Sequence, residues 1–261
     1  MKIFNDLAEW QRFRDELTPD LSLGFVPTMG NLHRGHASLM KQSKQENDCT
    51  IVSIFINPTQ FNQTEDFIHY PRTLDNDLDI LTQCSVDFCV LPNDKQIYAD
   101  GFKFQIHDAS QPQRMEAHHR PGHFTGVLTI VMKLLTLVRP HRAYFGEKDY
   151  QQYQLIRDMV SAFFMNIDVK ACPTIREASG LAYSSRNNRL SAEQRLRAES
   201  FAQTFHQSSM PINQLYDTLE KLGISIEYLE EHENRRFISV NIDNIRLIDN
   251  YVLLKNIEFK D

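Results

Sequence analysis

Short apolar runs, separated by amphipathic stretches of about ten to fifteen residues, constrain this chain more than any other feature. Leu21–Val26, which ends at Pro27, Thr50–Ile56, Val86–Leu91, Ala143–Phe145 and Ile167–Ala171 are rich in β-branched and aromatic residues and suit buried strands. Between them, Leu32–Gln45, Thr73–Gln83, Phe124–Val138 and Asp149–Phe163 carry a helical pattern. Residues 5–17 open the chain with Leu7, Trp10, Phe13 and Leu17 at spacings of three and four, the signature of a helix with one apolar face. Strands that alternate with helices must be joined by crossovers, which gives a mostly parallel sheet covered on both faces. Ligands of such sheets bind beyond the C-terminal ends of the strands. The segments to inspect are therefore Pro27–His36, Asn57–Phe61 and Gly146–Gln152.

The texture changes after Pro173. Residues 191–222 read as helical, and three strand-like pieces follow at Ile224–Leu229, Arg236–Asn241 and Ile245–Leu254. Helices followed by strands indicate a small α+β domain. The expectation is an α/β protein in two parts. A Rossmann-like parallel-sheet domain spans residues 1–173, and a smaller α+β domain spans 174–261.

Composition narrows the function classes. With 41% hydrophobic and 24% charged residues, the 261-residue chain is that of an ordinary globular protein. A formal net charge of −6, with no basic stripe, argues against a nucleic-acid partner. The four cysteines, Cys49, Cys84, Cys89 and Cys172, show no C-x-x-C spacing and read as reduced, partly buried thiols. No apolar run approaches the roughly 20 residues that span a bilayer, and the charged start lacks a signal segment. A cytoplasmic protein with no membrane partner is expected. His118, His119 and His123 cluster, but no cysteine or carboxylate at ligand spacing accompanies them, so no protein metal site is expected.

The densest chemistry lies in Pro27-Thr28-Met29-Gly30-Asn31-Leu32-His33-Arg34-Gly35-His36. A strand leads in and a helix leads out. Gly30 and Gly35 allow close backbone approach. A helix start offers unpaired N–H groups and partial positive charge, which suit phosphate. On a helix, His33 and His36 share a face, and two imidazoles there can donate to one phosphate chain. The pattern is neither a Walker A loop nor G-x-G-x-x-G. In Gly146-Glu147-Lys148-Asp149, a lysine just past a strand can supply charge to phosphates. Asp149 reads either as a ribose ligand or as a partner of Lys148. Ser184-Ser185-Arg186 combines two hydroxyls with a guanidinium, a second phosphate-binding set. Asn57 and Gln60 place amides beyond the Thr50–Ile56 strand, where they can donate to a carboxylate and accept from hydroxyls.

The His-x-Gly-His string resembles the motif of the nucleotidylyltransferase superfamily, and the longer string from Pro27 to His36 resembles the pantothenate synthetases. Further blocks fit that family in order: Ile56–Asn62, His69–Asp77, Arg120–Pro140, Phe145–Gln152, Ser184–Asn187 and Arg246–Asn250. They cover nearly the whole chain. The sequence departs from the family pattern at Met115-Glu116-Ala117, at Pro140-His141 and at Tyr183, and none of these departures removes a polar ligand of the reading.

The resemblance implies ATP-dependent ligation of pantoate to β-alanine through a pantoyl adenylate, with AMP and pyrophosphate released. It implies that ATP meets Met29, Gly30, His33, Gly35, His36, Gly146, Glu147, Lys148, Asp149, Ile175, Tyr183, Ser184, Ser185 and Arg186. His33, His36 and Lys148 would serve catalysis. Gln60 and Gln152, with Asn57, would hold the acid. Mg2+ would come bound to ATP phosphates, with Asp77 as a candidate protein contact, and the C-terminal domain would close as a lid over a homodimer's sites. Tyr70, Arg120 and His123 fall in the same blocks, with structural or substrate roles left open. Two other readings stand beside this one. An enzyme of the same superfamily could transfer AMP or CMP to a phosphorylated acceptor, but it would want cations where the glutamines stand. A silent nucleotide-binding regulator would have no need of the full His, Lys and Arg set.

Overall fold

The computed structural model describes residues 1–110, 114–207 and 210–253. It divides into two compact units, Met1–Pro173 and Thr174–Asp261. Among the described residues no helix is long and apolar enough to cross a membrane.

The first unit runs β1 (Lys2–Phe4), α1 (Leu7–Glu16), β2 (Leu23–Thr28), α2 (Arg34–Glu46), β3 (Cys49–Ile54), a 3-10 turn at Pro58–Gln60, α3 (Thr64–Ile68), α4 (Leu74–Gln83), β4 (Phe88–Val90), α5 (Asp94–Ile97), α6 (Met115–His119), α7 (His123–Val138), β5 (Arg142–Gly146), a 3-10 turn at Glu147–Asp149, α8 (Tyr150–Ala162) and β6 (Asp168–Cys172). The six strands form one sheet in the order β1-β4-β3-β2-β5-β6, and every pairing is parallel.

Strand alternation sorts the core into two layers. Phe25, Ile51, Val90, Ala143 and Phe145 face one side and join Trp10, Leu128, Leu135 and Ile156 from the helices. Their neighbours Val26, Val52, Cys89 and Tyr144 face the other side with Leu39, Met40 and Leu81. A period of two along each strand, with helices on both faces, buries the central strands β2, β3 and β5, while the edge strands β1 and β6 keep exposed residues. Cys84, Cys89 and Cys172 are buried thiols, and burial pushes the Cys89 and Cys172 sulfhydryls up to about 12. They behave as small hydrophobes rather than nucleophiles.

Three features differ from the sequence-based expectation. Lys2–Phe4 forms an edge strand paired to β4, although three residues carry no readable alternation. Pro27 lies inside β2, opposite Ser53 of β3, and does not end the strand. Pairing of β2 to β5 covers only Gly24 and Phe25, so β2 and β5 have already parted where proline removes an N–H. The strand expected from Leu21 begins instead at Leu23, whose N–H donates to His141 Nδ1 at 3.0 Å.

The second unit contains a 3-10 turn at Ser185–Arg189, α9 (Ala192–Phe205), α10 (Ile212–Lys221) and an antiparallel meander of β7 (Ser225–His232), β8 (Arg235–Ile242) and β9 (Ile245–Val252). Phe201, Phe205, Leu215 and Leu219 pack on Ile238, Val240, Ile245 and Leu247. The expected strand through Leu254 ends at Val252, and Leu254 lies outside the described residues.

Candidate active site

The sheet order fixes where a ligand can sit. From β2 the chain builds outward through β3, β4 and β1 on one side and through β5 and β6 on the other. The switch point therefore lies between β2 and β5, the two strands that part beyond Phe25. The segments after β2, β3 and β5 are Met29–His36, Asn57–Gln60 and Gly146–Asp149, and parallel pairing puts all three at the same edge.

After β2 the chain makes a tight turn. Gly30 has φ +79° and Asn31 has φ +49°, both left-handed. A Cβ on Gly30 would also stand 2.9 Å from an Asp77 carboxylate oxygen, so glycine is required twice over. His33 then caps α2 in extended backbone, and is not part of the helix it was expected to share with His36. Its Nδ1 accepts the Gly35 N–H at 3.1 Å, and the Nδ1 of His36 accepts the His33 N–H at 3.3 Å. A backbone N–H can only donate, so both Nδ1 atoms are unprotonated and both ring protons sit on Nε2. The rings lie 4.1 Å apart, tilted by 36°. Burial, then His36 and Lys148, pushes His33 down to about 2. Burial, with the Lys148 charge opposing the pull of Asp149, lowers His36 to about 4. At neutral pH the pair is two fixed, uncharged N–H donors.

Lys148 follows β5 in the Glu147–Asp149 turn, with its Nζ 3.7 Å from Asp149. Its charge bears on both imidazoles. At Gly146, a Cβ would meet open space, so the end of β5 leaves room at this edge. Met29 and Glu147 are partly buried beside these segments.

The amides after β3 divide their work. Asn57 is only 1% exposed. Its Oδ1 accepts from the Tyr98 hydroxyl at 2.5 Å and the Thr59 hydroxyl at 3.0 Å, while its Nδ2 donates to Gln60 Oε1 at 2.9 Å and to the Gly126 carbonyl at 3.3 Å. The Asn57 amide is thus engaged within the wall, where it orients Gln60. The Gln60 side-chain oxygen is thereby held by Asn57. The Gln60 backbone is pinned as well. Its carbonyl takes bonds from Arg120 at 3.2 Å and from His123 Nδ1 at 2.8 Å, and Arg120 reaches His123 Nε2 at 3.0 Å. Gly126 permits this closeness, since a Cβ there would stand 2.4 Å from the Thr59 carbonyl oxygen. Arg120 and His123 thus place Gln60, and Tyr70 is buried against Phe61. Gln152 is partly buried on the first turn of α8, while its neighbour Gln151 ties that helix to residues 114 and 116.

The other expected residues lie in the second unit and are gathered there among themselves. Residues 175–183 form a small hairpin turned at Gly180, in which the Tyr183 N–H donates to the Ile175 carbonyl. Ser184 caps the next turn by accepting the Arg186 N–H at 3.3 Å, and Ser185 is buried. The hairpin is held by Arg176, whose guanidinium makes two bonds to Asp249, at 2.7 and 2.9 Å, and His206 adds a third at 3.0 Å. In the linear chain Asp249 is only one letter of the Arg246–Asn250 block; its bond to Arg176 joins residues 73 positions apart and is not local.

Burial alone would raise the Asp249 carboxyl, but the His206 and Arg176 bonds and the Arg176 charge outweigh it and hold it below the usual carboxylate range. A carboxylate so lowered contributes stability above its unfolded value of about 4, and loses it as pH falls through the folded value. Asp249→Asn should cost about 3 kcal/mol at pH 7, the low end for a broken buried pair because Arg176 keeps some water. In urea unfolding, the gap to the unsubstituted chain should narrow below about pH 4. A gap independent of pH would assign the loss to packing.

Fold and loop placement define the class: a doubly wound α/β protein whose ligand loops meet at the switch point of a parallel sheet. The Pantoate-beta-alanine ligase family model matches residues 2–252, and the chain belongs to that family. It is 60% identical over 253 residues to the pantothenate synthetase of Legionella pneumophila strain Lens, covering 97% of this chain and 100% of the relative. It is 46% identical over 255 residues to that of Coxiella burnetii strain Dugway 5J108-111, covering 98% of each. Among solved structures, the Francisella tularensis pantoate-beta-alanine ligase, complexed with beta-gamma ATP and beta-alanine, superposes with a TM-score of 0.93 at 40% identity over 97% of both chains. The pantothenate synthetase of Thermus thermophilus gives 0.87 at 34% identity, over 97% of this chain and 99% of its own.

Proposed function

We propose that the chain joins pantoate to β-alanine in two half-reactions at the switch-point edge. In the first, a pantoate carboxylate oxygen attacks the α-phosphorus of ATP. A P–O bond forms to the acid, the bond to pyrophosphate breaks, and pantoyl adenylate results. In the second, the β-alanine amine attacks the acyl carbon, the C–O bond to AMP breaks, and the nitrogen gives up a proton. The substrates supply both nucleophiles, so the protein's task is to position them and to stabilise charge.

His33 and His36 donate from Nε2 to phosphate oxygens, Lys148 supplies full positive charge, and Gln60 and Gln152 hold pantoate. Gly30, Gly35, Gly146, Met29, Glu147 and Asp149 shape the nucleotide's surroundings. Ile175, Tyr183, Ser184, Ser185 and Arg186, all in the second unit, are the further candidates for meeting ATP, with two hydroxyls and a guanidinium suited to phosphate. Among the described residues no three His, Cys, Asp or Glu side chains gather around a metal position, and Asp77 spends its carboxylate on backbone amides. In this reading Mg2+ comes with the substrate, carried by ATP phosphates and water. A homodimer is part of the same reading.

The observation that carries this reading is the pair of neutral, tautomer-fixed histidines beside a lysine at the switch point. The test is isotope exchange. Labelled pyrophosphate should enter ATP when pantoate is present and β-alanine is absent, and removing pantoate should abolish it. A strict need for β-alanine, or ADP as the nucleotide product, would overturn the two-step reading.

A further inference from the structure

We propose that Asp77 is a positioning residue for adenylate formation, the group that sets the turn after β2 so that both histidines face the phosphates. The inference deepens the function proposed above and rests on it.

Asp77 lies in the first turn of α4 and is 1% exposed. Its two oxygens accept from consecutive backbone amides, Oδ2 from Asn31 at 3.0 Å and Oδ1 from Leu32 at 2.7 Å. The Thr73 hydroxyl adds a bond to Oδ1 at 3.2 Å. A helix start further favours negative charge at this place. The chain can present two successive N–H groups to one carboxylate only because Gly30 and Asn31 both adopt left-handed backbone. The Gly30 position is also the one where a Cβ would meet this carboxylate.

The consequence passes along the chain in two steps. Leu32, held by Asp77, is the residue before His33. The His33 N–H in turn holds the His36 ring, and the His33 ring accepts from Gly35. The carboxylate therefore fixes the first link of a series that ends in the orientation of both Nε2–H donors. Pre-set donors stabilise a transition state without reorganising during the reaction. Asp77 touches no reacting atom in this account; it acts through the turn.

Asp77→Asn tests the idea with almost no change in volume. An amide offers one acceptor oxygen, so one of the two backbone N–H groups would face an NH2 group instead. Pantoate-dependent pyrophosphate exchange should fall at least about tenfold in turnover, while KM for ATP and pantoate moves less than about threefold. Conversion of preformed pantoyl adenylate by β-alanine should stay near the unsubstituted rate. Combined with His36→Ala, the substitution should cost much less than it does alone, because both act through one donor set.

Equal losses in the two half-reactions, or additivity with His36→Ala, would reduce Asp77 to a general structural role and overturn the proposal. Should the asparagine variant not fold, Thr73→Val removes one donor to the same carboxylate and should lower exchange about two- to threefold, with the second step unaffected. No selective loss there would count equally against it. If His36→Ala leaves exchange intact, the phosphate-site reading itself fails. If His36→Ala cripples exchange and Asp77→Asn does not, only the positioning inference fails.

Discussion

His36→Ala is expected to slow pantoate-dependent pyrophosphate exchange about 10²–10³-fold, the usual loss when one preorganised donor to a transition state is removed. The fold should survive, since His36 is partly buried on a helix whose start is still capped by His33 accepting the Gly35 N–H. The effect should appear in turnover more than in the KM for ATP, because a neutral N–H gains most when charge builds on phosphate oxygen. The pH profile separates a donor from an acid. Both rings sit far below the ordinary histidine value. Neither therefore changes charge between about pH 5 and 8, and exchange should show no histidine limb in that window. A limb near pH 6.5 that disappears in His36→Ala would make His36 a proton donor. Turnover close to normal in both His33→Ala and His36→Ala would remove the phosphate-site assignment altogether.

Much of the fold was legible because strands and helices announce themselves by different periods. Ile51 and Val52 sit side by side in sequence and enter opposite core layers, as a buried parallel strand requires. The same alternation pointed to the loops after β2, β3 and β5, and those loops hold the first unit's expected site residues. Other features depended on pairings that a linear reading does not contain. Lys2–Phe4 becomes a strand because β4 offers an edge. Pro27 is tolerated because β5 has already parted from β2 there while β3 stays paired, which nothing local reveals.

The site shows the same division. Residue types suited to phosphate were visible around His33, His36 and Lys148, but the direction in which a side chain points was not. His33 looked like a helix residue, and it is the cap. Asn57 looked like a ligand at a strand end, and its amide is turned inward by Tyr98 and Thr59. Asp77 lies more than forty residues from the turn it fixes, and Asp249 is bound to Arg176 from a strand more than seventy residues on. Buried polar groups must find partners, and the partners are chosen by the fold rather than by sequence neighbours. The polar residues of a motif therefore divide into two kinds only once burial is known: those that meet the substrate and those that hold them.

Lys148→Ala should be as damaging to the first half-reaction as loss of a histidine, and for a different reason. His33 and His36 are uncharged, so their N–H groups cannot balance the negative charge that gathers on the phosphates. Lys148 carries a full charge into the same place on a side chain only 19% exposed. Weak access to water keeps that charge poorly screened and its effect large. Exchange should drop roughly 10²–10³-fold, whereas preformed pantoyl adenylate should still react with β-alanine, since pyrophosphate has left by then. Lys148→Arg should recover only part of the loss, because a broad, planar guanidinium cannot occupy the position of a compact ammonium. The substitution also has a spectroscopic signature. Lys148 lowers both imidazoles, so removing it must raise them, and His36 should rise further because Asp149 still favours its charged form. In an NMR titration His36 should therefore begin to protonate at a higher pH in Lys148→Ala than in the unsubstituted chain. An unchanged His36 titration would separate the lysine from the histidine pair. An equal defect in both half-reactions would assign Lys148 a task other than phosphate charge.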